Sequence, residues 1–490
     1  MTPPENPQRK TVPLVPVPSA SAPDGDSAQE MVSLYAAHRK VYPRSVQGRF
    51  ARWRWVLVWL TQLVFYGLPW LEWGQRQAVL FDLGARRFYI FGLVLYPQDF
   101  IYLTAILVIS AFSLFLFTAV AGRLWCGYAC PQTVYSEIFL WVERSIEGDR
   151  SARIRLDATG MSLEKLFKKW FKHIVWIGIA MWTGFSFVGY FTPIRALGME
   201  FFTGNMSSWE VFWVFFYALA TYGNAGFMRE QVCKYMCPYA RFQSAMFDKD
   251  TLIVTYDEAR GEPRGGRSRK TDPQALGLGA CVDCSLCVQV CPTGIDIRKG
   301  LQYECIGCGA CADVCDTVMD KLGDAKGLIR YSTQNAVASG WSREQIWRRV
   351  LRPRVLIYTG ILLVVTLALV SSLAMRQPFR VDVVRDRAAL ARIVAGGQIE
   401  NVYRLQIMNA AEKPLNFRLA AQGLPGLRIV TETDAQVPAT ESRWISVRLQ
   451  LPYDAAQPGA HPIHFQILSF EEGRQLVGEI QEKSVFLVPR

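Results

Sequence analysis

The chain carries 12 cysteines, and eight of them lie between Cys281 and Cys315. They fall into two C-x2-C-x2-C-x3-C runs: Cys281, Cys284, Cys287 and Cys291, then Cys305, Cys308, Cys311 and Cys315. Three cysteines at that spacing wrap one face of a [4Fe–4S] cube, and the fourth of each run lies too far along to finish it. The fourth thiol therefore crosses to the other cube. This assigns Cys281, Cys284, Cys287 and Cys315 to one cluster and Cys291, Cys305, Cys308 and Cys311 to the other. A zinc ribbon needs four ligands and has no use for a third and fourth cysteine in each run. Two cubes amount to about eight irons per chain.

The other four cysteines form a repeat, Cys126-Gly-Tyr-Ala-Cys130-Pro131 and Cys233-Lys-Tyr-Met-Cys237-Pro238. In a helix, cysteines four apart lie on one face. A residue before proline is pushed out of helical geometry, so Cys130 and Cys237 should end one element. Pro131 and Pro238 suit the first turn of the next, over Thr133–Glu147 and Tyr239–Phe247. Four such thiols are candidates for a soft metal site, to which Met236 could add a thioether, because thiolates favour Cu(I). They equally suit a redox dithiol pair or a further iron–sulfur cluster, and the residues alone leave these three readings open. Only four histidines are present, His38, His173, His461 and His464, so paired axial ligands for membrane b-type haem are lacking. No G-x-G-x-x-G follows a strand-like run, which argues against a nicotinamide or flavin dinucleotide.

The elements that must position these thiols are largely apolar. Apolar residues make up 51% of the chain and 15 are tryptophan, a composition that points to membrane. Five charge-free runs are long enough to span a bilayer: Trp55–Leu71, Phe100–Gly122, Ile174–Ile194, Val211–Met228 and Val355–Met375. The run Phe88–Pro97 is too short and is expected at the interface. Arg39, Lys40, Arg44, Arg49, Arg52 and Arg54 precede the first span. Arg123, Arg144, Arg150, Arg153, Arg155, Lys165, Lys168, Lys169 and Lys172 follow the second. Lys and Arg gather on the cytoplasmic side. The N-terminus, the loop between spans two and three, and the iron–sulfur segment are thus expected in the cytoplasm. The part after Met375 is expected outside. Each C-x3-C-P motif then sits at the cytoplasmic end of its own helical hairpin, and an axis along the membrane normal would bring the two together.

The expected layout is a multi-domain integral membrane protein. A proline-rich disordered tail (1–40) precedes an α-helical membrane domain with four spans (41–248). A basic linker and the two-cluster domain (249–350), a fifth transmembrane helix (351–376) and a C-terminal domain (377–490) follow. The linker residues Arg260, Arg264, Arg267, Arg269 and Lys270 read as a solvated connector. In the last domain Phe379, Val381 and Val383 alternate with polar residues, as do Ile445, Val447 and Leu449, then Ile463, Phe465 and Ile467. Short period-two runs broken by Pro and Gly indicate an antiparallel, immunoglobulin-like sandwich. It has no cysteine, so its core must hold by burial alone.

Taken together, the paired C-x3-C-P motifs, the double cluster run, the segment Cys315–Ala336 and the C-terminal sandwich resemble the CcoG/FixG/RdxA family of cytochrome oxidase accessory proteins. The resemblance implies a cupric reductase, turning Cu(II) into Cu(I) for assembly of a cbb3-type oxidase. It also implies that Cys126, Cys130, Cys233 and Cys237 belong to a copper-handling or electron-exit region. Asp316 departs from the usual proline after the fourth cysteine. Expected cofactors are two [4Fe–4S] clusters, with copper handled at the membrane thiols. Expected partners are membrane lipid, a cytoplasmic electron donor, the oxidase or its copper chaperones, and a second copy of the chain. Nucleic acid is not among them. The expected location is the bacterial inner membrane. Two other readings are a quinol-linked electron relay to a periplasmic reductase and a non-redox assembly scaffold.

Overall fold

A computed structural model describes residues 40–268, 276–386, 391–471 and 475–489. The proline-rich tail, apart from Lys40, and the linker residues Arg269 and Lys270 lie outside them. From Val41 onward the chain forms one unit.

Four helices are long and apolar enough to cross a membrane: Pro97–Ala121, Leu163–Val188, Ser208–Met228 and Pro353–Ala374. In the first and last of these only 6% of the apolar window is buried within the protein. Such apolar surface is stable against lipid and not against water. These are the second to fifth of the expected spans. The expected first span falls in a helix over Arg49–Gly67, six residues earlier than its apolar run. Pro69 ends it in a 3-10 turn, Leu68–Trp70. Its first turns hold Arg49, Arg52 and Arg54, so composition does not set it beside the other four. Trp53, Trp59, Leu60 and Leu63 are nevertheless exposed along it, while Arg54 is buried in an ion pair with Glu137 at 3.2 Å.

The basic residues after the second span are mostly paired. Glu143 takes Arg153, Lys172 and Arg229, and Glu147 takes Lys169 and Lys172, at 2.7–3.3 Å. These pairs lash the Pro131–Glu147 helix to the start of the Leu163–Val188 helix.

The cysteine-rich segment folds between two antiparallel strands, Ile253–Tyr256 and Ile329–Ser332, which clasp it. Part of the expected linker is therefore structural. Arg260 donates to the carbonyls of Lys326 and Ala325, and Arg267 pairs with Asp324. The helix Ala310–Leu322 continues for seven residues past Cys315. Proline at position 316 would remove a helical N–H and clash with the preceding turn. Asp316 instead accepts from the Gly327 N–H at 2.8 Å.

The C-terminal domain is the expected sandwich. One sheet orders Arg428–Ile429, Ser442–Pro452, Gln398–Asn409 and Phe379–Arg385, with Arg392–Val394 also on Gln398–Asn409. The other orders Asp434–Val437, Leu415–Gln422, Gly459–Phe470 and Leu476–Val488. Phe379, Tyr403, Phe417, Phe465 and Phe486 fill the space between. The run Phe88–Pro97, expected at a membrane interface, belongs to a three-stranded sheet, Val79–Asp82, Arg87–Ile90 and Leu93–Leu95, just before the Pro97–Ala121 helix. Its Leu80, Tyr89 and Val94 pack with Met408 of the sandwich.

The two folded domains meet opposite ends of the Phe100–Ala121 helix. At its start, Asp99 pairs with Arg376 and Arg380 at 2.6 and 2.7 Å, on the side of the sandwich. At its end, Leu252 donates to Val120 at 3.0 Å, on the side of the iron–sulfur segment. A helix of 22 residues is about 33 Å long at 1.5 Å per residue, the width of a bilayer core.

Candidate iron–sulfur centres and thiol exit

The eight clustered cysteines surround two cavities. Cys281, Cys284, Cys287 and Cys315 line one, with Tyr256, Leu286, Val318 and Leu328. Cys291, Cys305, Cys308 and Cys311 line the other, with Val254, Ile295 and Ile306, and Cys287 reaches its wall as well. The structure thus gathers the two sets that the spacing predicts, each with the fourth cysteine of the opposite run. Burial pushes the Cys287 thiol up to about 11 and those of Cys305 and Cys315 up to about 12. Burial alone keeps these thiols protonated; a metal held in either cavity would supply the charge that deprotonates them. The donor set fits two [4Fe–4S] cubes.

The four membrane thiols also come together. Cys126 lies in a short helix, Leu124–Tyr128, and Cys130 caps the Pro131–Glu147 helix in extended geometry. Cys233 lies in a π-helical turn, Val232–Met236, and Cys237 caps the Pro238–Met246 helix. The two prolines occupy the first helical turn, as expected. The cysteines of each pair do not share one helix face, because the second of each has already left the helix of the first. Gln132 donates to the carbonyls of Asn224 and Arg229 at 2.9 and 3.1 Å, tying the first motif to the second hairpin. The Cys126 thiol donates to Gln243 at 3.3 Å, and Arg123 donates to the Ala240 carbonyl. Burial pushes the Cys126 thiol up to about 12, and its neighbours Cys130, Cys233 and Cys237 add to the effect. Burial likewise takes Cys233 up to about 11, with Cys130 and Cys237 adding.

This group abuts the second cavity. A Cβ on Gly127 would meet the Ile306 carbonyl at 2.8 Å and the Cys308 Cα at 2.9 Å. Only glycine allows this approach. Cys126 packs with Cys308 and Cys311 in one core, and Lys234 donates to the Thr293 carbonyl at 2.8 Å.

Sequence reasoning missed three arginines. Arg298 faces Cys287, Arg54 faces Cys308, and Arg123 faces Cys126, Cys233 and Cys305. Each thiol set thus has a guanidinium beside it. Arg123 also donates to the Tyr303 carbonyl, which knits the first C-x3-C-P motif to the iron–sulfur loop. Its place three residues before Cys126 was the available signal, and Arg229 stands four before Cys233.

The fold and these centres define a membrane iron–sulfur protein of the electron-transfer type. A profile described as a 4Fe-4S dicluster domain matches residues 228–334, one described as a 4Fe-4S binding domain matches 103–147, and one for an Ig-like fold at the C-terminus of FixG matches 369–489. The nitrogen fixation protein FixG of Rhizobium meliloti is 40% identical over 423 residues, 80% of this chain and 81% of that one. RdxB and RdxA of Cereibacter sphaeroides are 40% and 39% identical, covering 84% and 88% of this chain and 88% and 92% of their own. The chain belongs to the FixG/RdxA family. A crystal structure of a FixG-related protein from Vibrio parahaemolyticus covers 23% of this chain and 97% of its own, at 22% identity and a TM-score of 0.20, too low to bear weight.

Proposed function

We propose that the protein takes single electrons from a cytoplasmic donor and hands them, at the C-x3-C-P thiols, to Cu(II). The product, Cu(I), serves the assembly of a cbb3-type cytochrome oxidase. The observation that supports this reading is the contact of Gly127 with the Ile306–Cys308 backbone, which sets the first C-x3-C-P motif directly against the wall of the second cavity. In those cavities, Cys281, Cys284, Cys287 and Cys315, and Cys291, Cys305, Cys308 and Cys311, would hold [4Fe–4S] clusters that supply one-electron carriage. Arg298, Arg54 and Arg123 balance the negative charge of the thiolates. Each Cu(II) accepts one electron, and Cu(I) is the ion that thiolates and thioethers retain. Met236 is exposed one residue from Cys237, where a thioether can meet the departing ion.

The same reading places the protein in a bacterial inner membrane with five crossings. The cysteine-rich domain then faces the cytoplasm and the sandwich the periplasm, where it would dock the oxidase or its copper chaperones. Support for the fifth crossing comes from the Arg49–Gly67 helix. Phe50 and Ala51 meet Asp313 of the iron–sulfur segment, and Phe65 accepts from Tyr190 at the far end of the Leu163–Val188 helix.

The test is anaerobic. Dithionite-reduced, full-length protein is mixed with Cu(II) and a Cu(I)-selective chromogenic chelator. Cu(I) should form with the loss of the reduced cluster spectrum. Cys308→Ser and Cys130→Ser should slow it at least tenfold. Wild-type rates in both variants would sink the reading.

One observation favours a second reading, a quinol-linked relay. Trp55, Trp59, Trp70, Trp141 and Trp182 surround a cleft that Gln62 also lines, and the buried Oε1 of Gln62 has no hydrogen-bond partner among the described residues. Electron input that depends on added quinol, and stops with Gln62→Leu, would support it.

A further inference from the structure

We infer that Cys126, Cys130, Cys233 and Cys237 together hold a third [4Fe–4S] cluster, seated between the two hairpins at the edge of the dicluster domain. This deepens the proposed function by naming what occupies the exit. It rests on that function only for the word exit.

The first argument is ligand number. The segment matched as a 4Fe-4S binding domain, 103–147, contains two cysteines, Cys126 and Cys130. Two thiols cannot complete a cube held by four. The missing pair is supplied across the pseudo-repeat by Cys233 and Cys237. Three hydrogen bonds, from Gln132 to Asn224 and Arg229 and from Cys126 to Gln243, stitch the halves around that meeting point.

The second argument is spread. Thiolates favour Cu(I), zinc and iron–sulfur clusters alike. A lone ion draws its sulfurs to one point, about 2.3 Å from each for zinc. Among the described residues no three Cys, His, Asp or Glu side chains converge in that way. The eight dicluster cysteines do not converge on one point either, and they line two cavities. The quartet shares with them this lack of a single meeting point.

The third argument is the polar surround. In the dicluster domain the Cys305 sulfur accepts from the Gly307 N–H and the Cys308 sulfur from the Ala310 N–H, two residues on. Cys130 repeats this with the N–H groups of Gln132 and Thr133. Cys130 and Cys237 both cap helices, of 17 and 9 residues, so two positive helix ends face the site. Arg123 adds a full charge. A site of four thiolates with helix ends, N–H donors and one guanidinium is built for an anionic cluster.

The experiment is an iron, sulfide, zinc and copper count on anaerobically purified, full-length protein, with Mössbauer spectra. The expected result is about twelve irons per chain, three cubes' worth. In Cys126→Ser/Cys233→Ser the count should fall by about four, leaving the coupled two-cluster signal of the dicluster domain. Cys281→Ser calibrates the loss of one cube and controls for misfolding. Eight irons in the wild type, unchanged in the double variant, would overturn the inference. So would eight irons with one zinc or one copper that the double variant loses. Cu(II) reduction is read on the same samples. Twelve irons without Cu(II) reduction supports the third cluster and removes the proposed function. Eight irons with Cu(II) reduction does the reverse.

Discussion

The carboxylate of Asp313 caps the helix that carries Ala51, accepting from the N–H groups of Phe50 and Ala51 at 3.1 and 2.8 Å. A residue between two cysteines of the second run thereby anchors the N-terminal helix of the membrane domain. Asp313→Ala should leave these donors buried without an acceptor, at a cost of about 1–2 kcal/mol. The expected outcome is a lower melting temperature of the detergent-solubilised protein with full iron content. An unchanged melting curve would show that the cap does not hold the domains.

Gly127→Ala probes the narrow contact at the exit. A methyl group there cannot fit against the Ile306 carbonyl and the Cys308 Cα, so the loop must retreat. Iron content is counted first, because the retreating loop carries Cys308; in protein with its full iron, dithionite should reduce the clusters at the usual rate. Cu(I) production should drop at least tenfold. If it does not, electrons leave the second cavity by another route.

Glu137 supplies a pH dependence. Burial works to raise its carboxyl pKa, but Arg54 and Arg144 outweigh it and hold the group below the ordinary carboxylate value of 4.5. A depressed native pKa contributes stability that is complete above the unfolded value and is lost as pH falls through the native one. Thermal stability should therefore decline on acidification below about pH 4.5, and Glu137→Gln should flatten that decline. The Gln variant should also be less stable at neutral pH, because Arg54 then lies buried without a counter-charge. Parallel acid profiles for the two proteins would count against this account.

Asp99 links the second span to the sandwich. Its side chain is 1% exposed and faces Arg376 and Arg380. Asp99→Asn should cost about 3–5 kcal/mol by stranding buried charge. Limited proteolysis should then release the sandwich from membranes faster than in the wild type. Equal rates would mean that the remaining contacts, among them the Tyr96–Asn409 bond and the packing on Met408, suffice.

Topology has its own test. A reporter active only outside the cytoplasm should be active when fused after Arg490 and silent near Gly266. The opposite result would overturn the orientation drawn from the basic residues.

Much of the site was legible because its determinants are local. The cysteine spacing carries both cavities, and Pro131 and Pro238 mark helix starts by chemistry alone. What was not legible depends on distant partners. Arg54 reads as a flanking cytoplasmic charge until Glu137, far along the chain, makes it a buried pair. Arg123 reads as a span terminator until the loop at Tyr303 folds onto it. The two π-helical segments, Tyr222–Met228 and Val232–Met236, have no compositional signature. Such turns are held by tertiary contacts, here including Arg229 on Glu143. The sheet over 79–95 was missed because its alternation is short and broken by Gly84 and Gly92, and its core is completed by the distant Met408 and Ala410.

The clasp formed by Ile253–Tyr256 and Ile329–Ser332 has a bearing on how the protein is made. The second strand is the last part of the domain to leave the ribosome, so all eight cysteines emerge before their enclosure can shut. Arg54 and Gly127, which close the second cavity from the membrane side, are synthesised earlier. Enclosure therefore waits until all eight cysteines have been made. A chain that lacks its clusters is left with two unfilled cavities, and unfilled space in a core destabilises a fold. The abundance of the mature protein should therefore follow the cell's iron–sulfur supply even when its gene is transcribed at a constant rate.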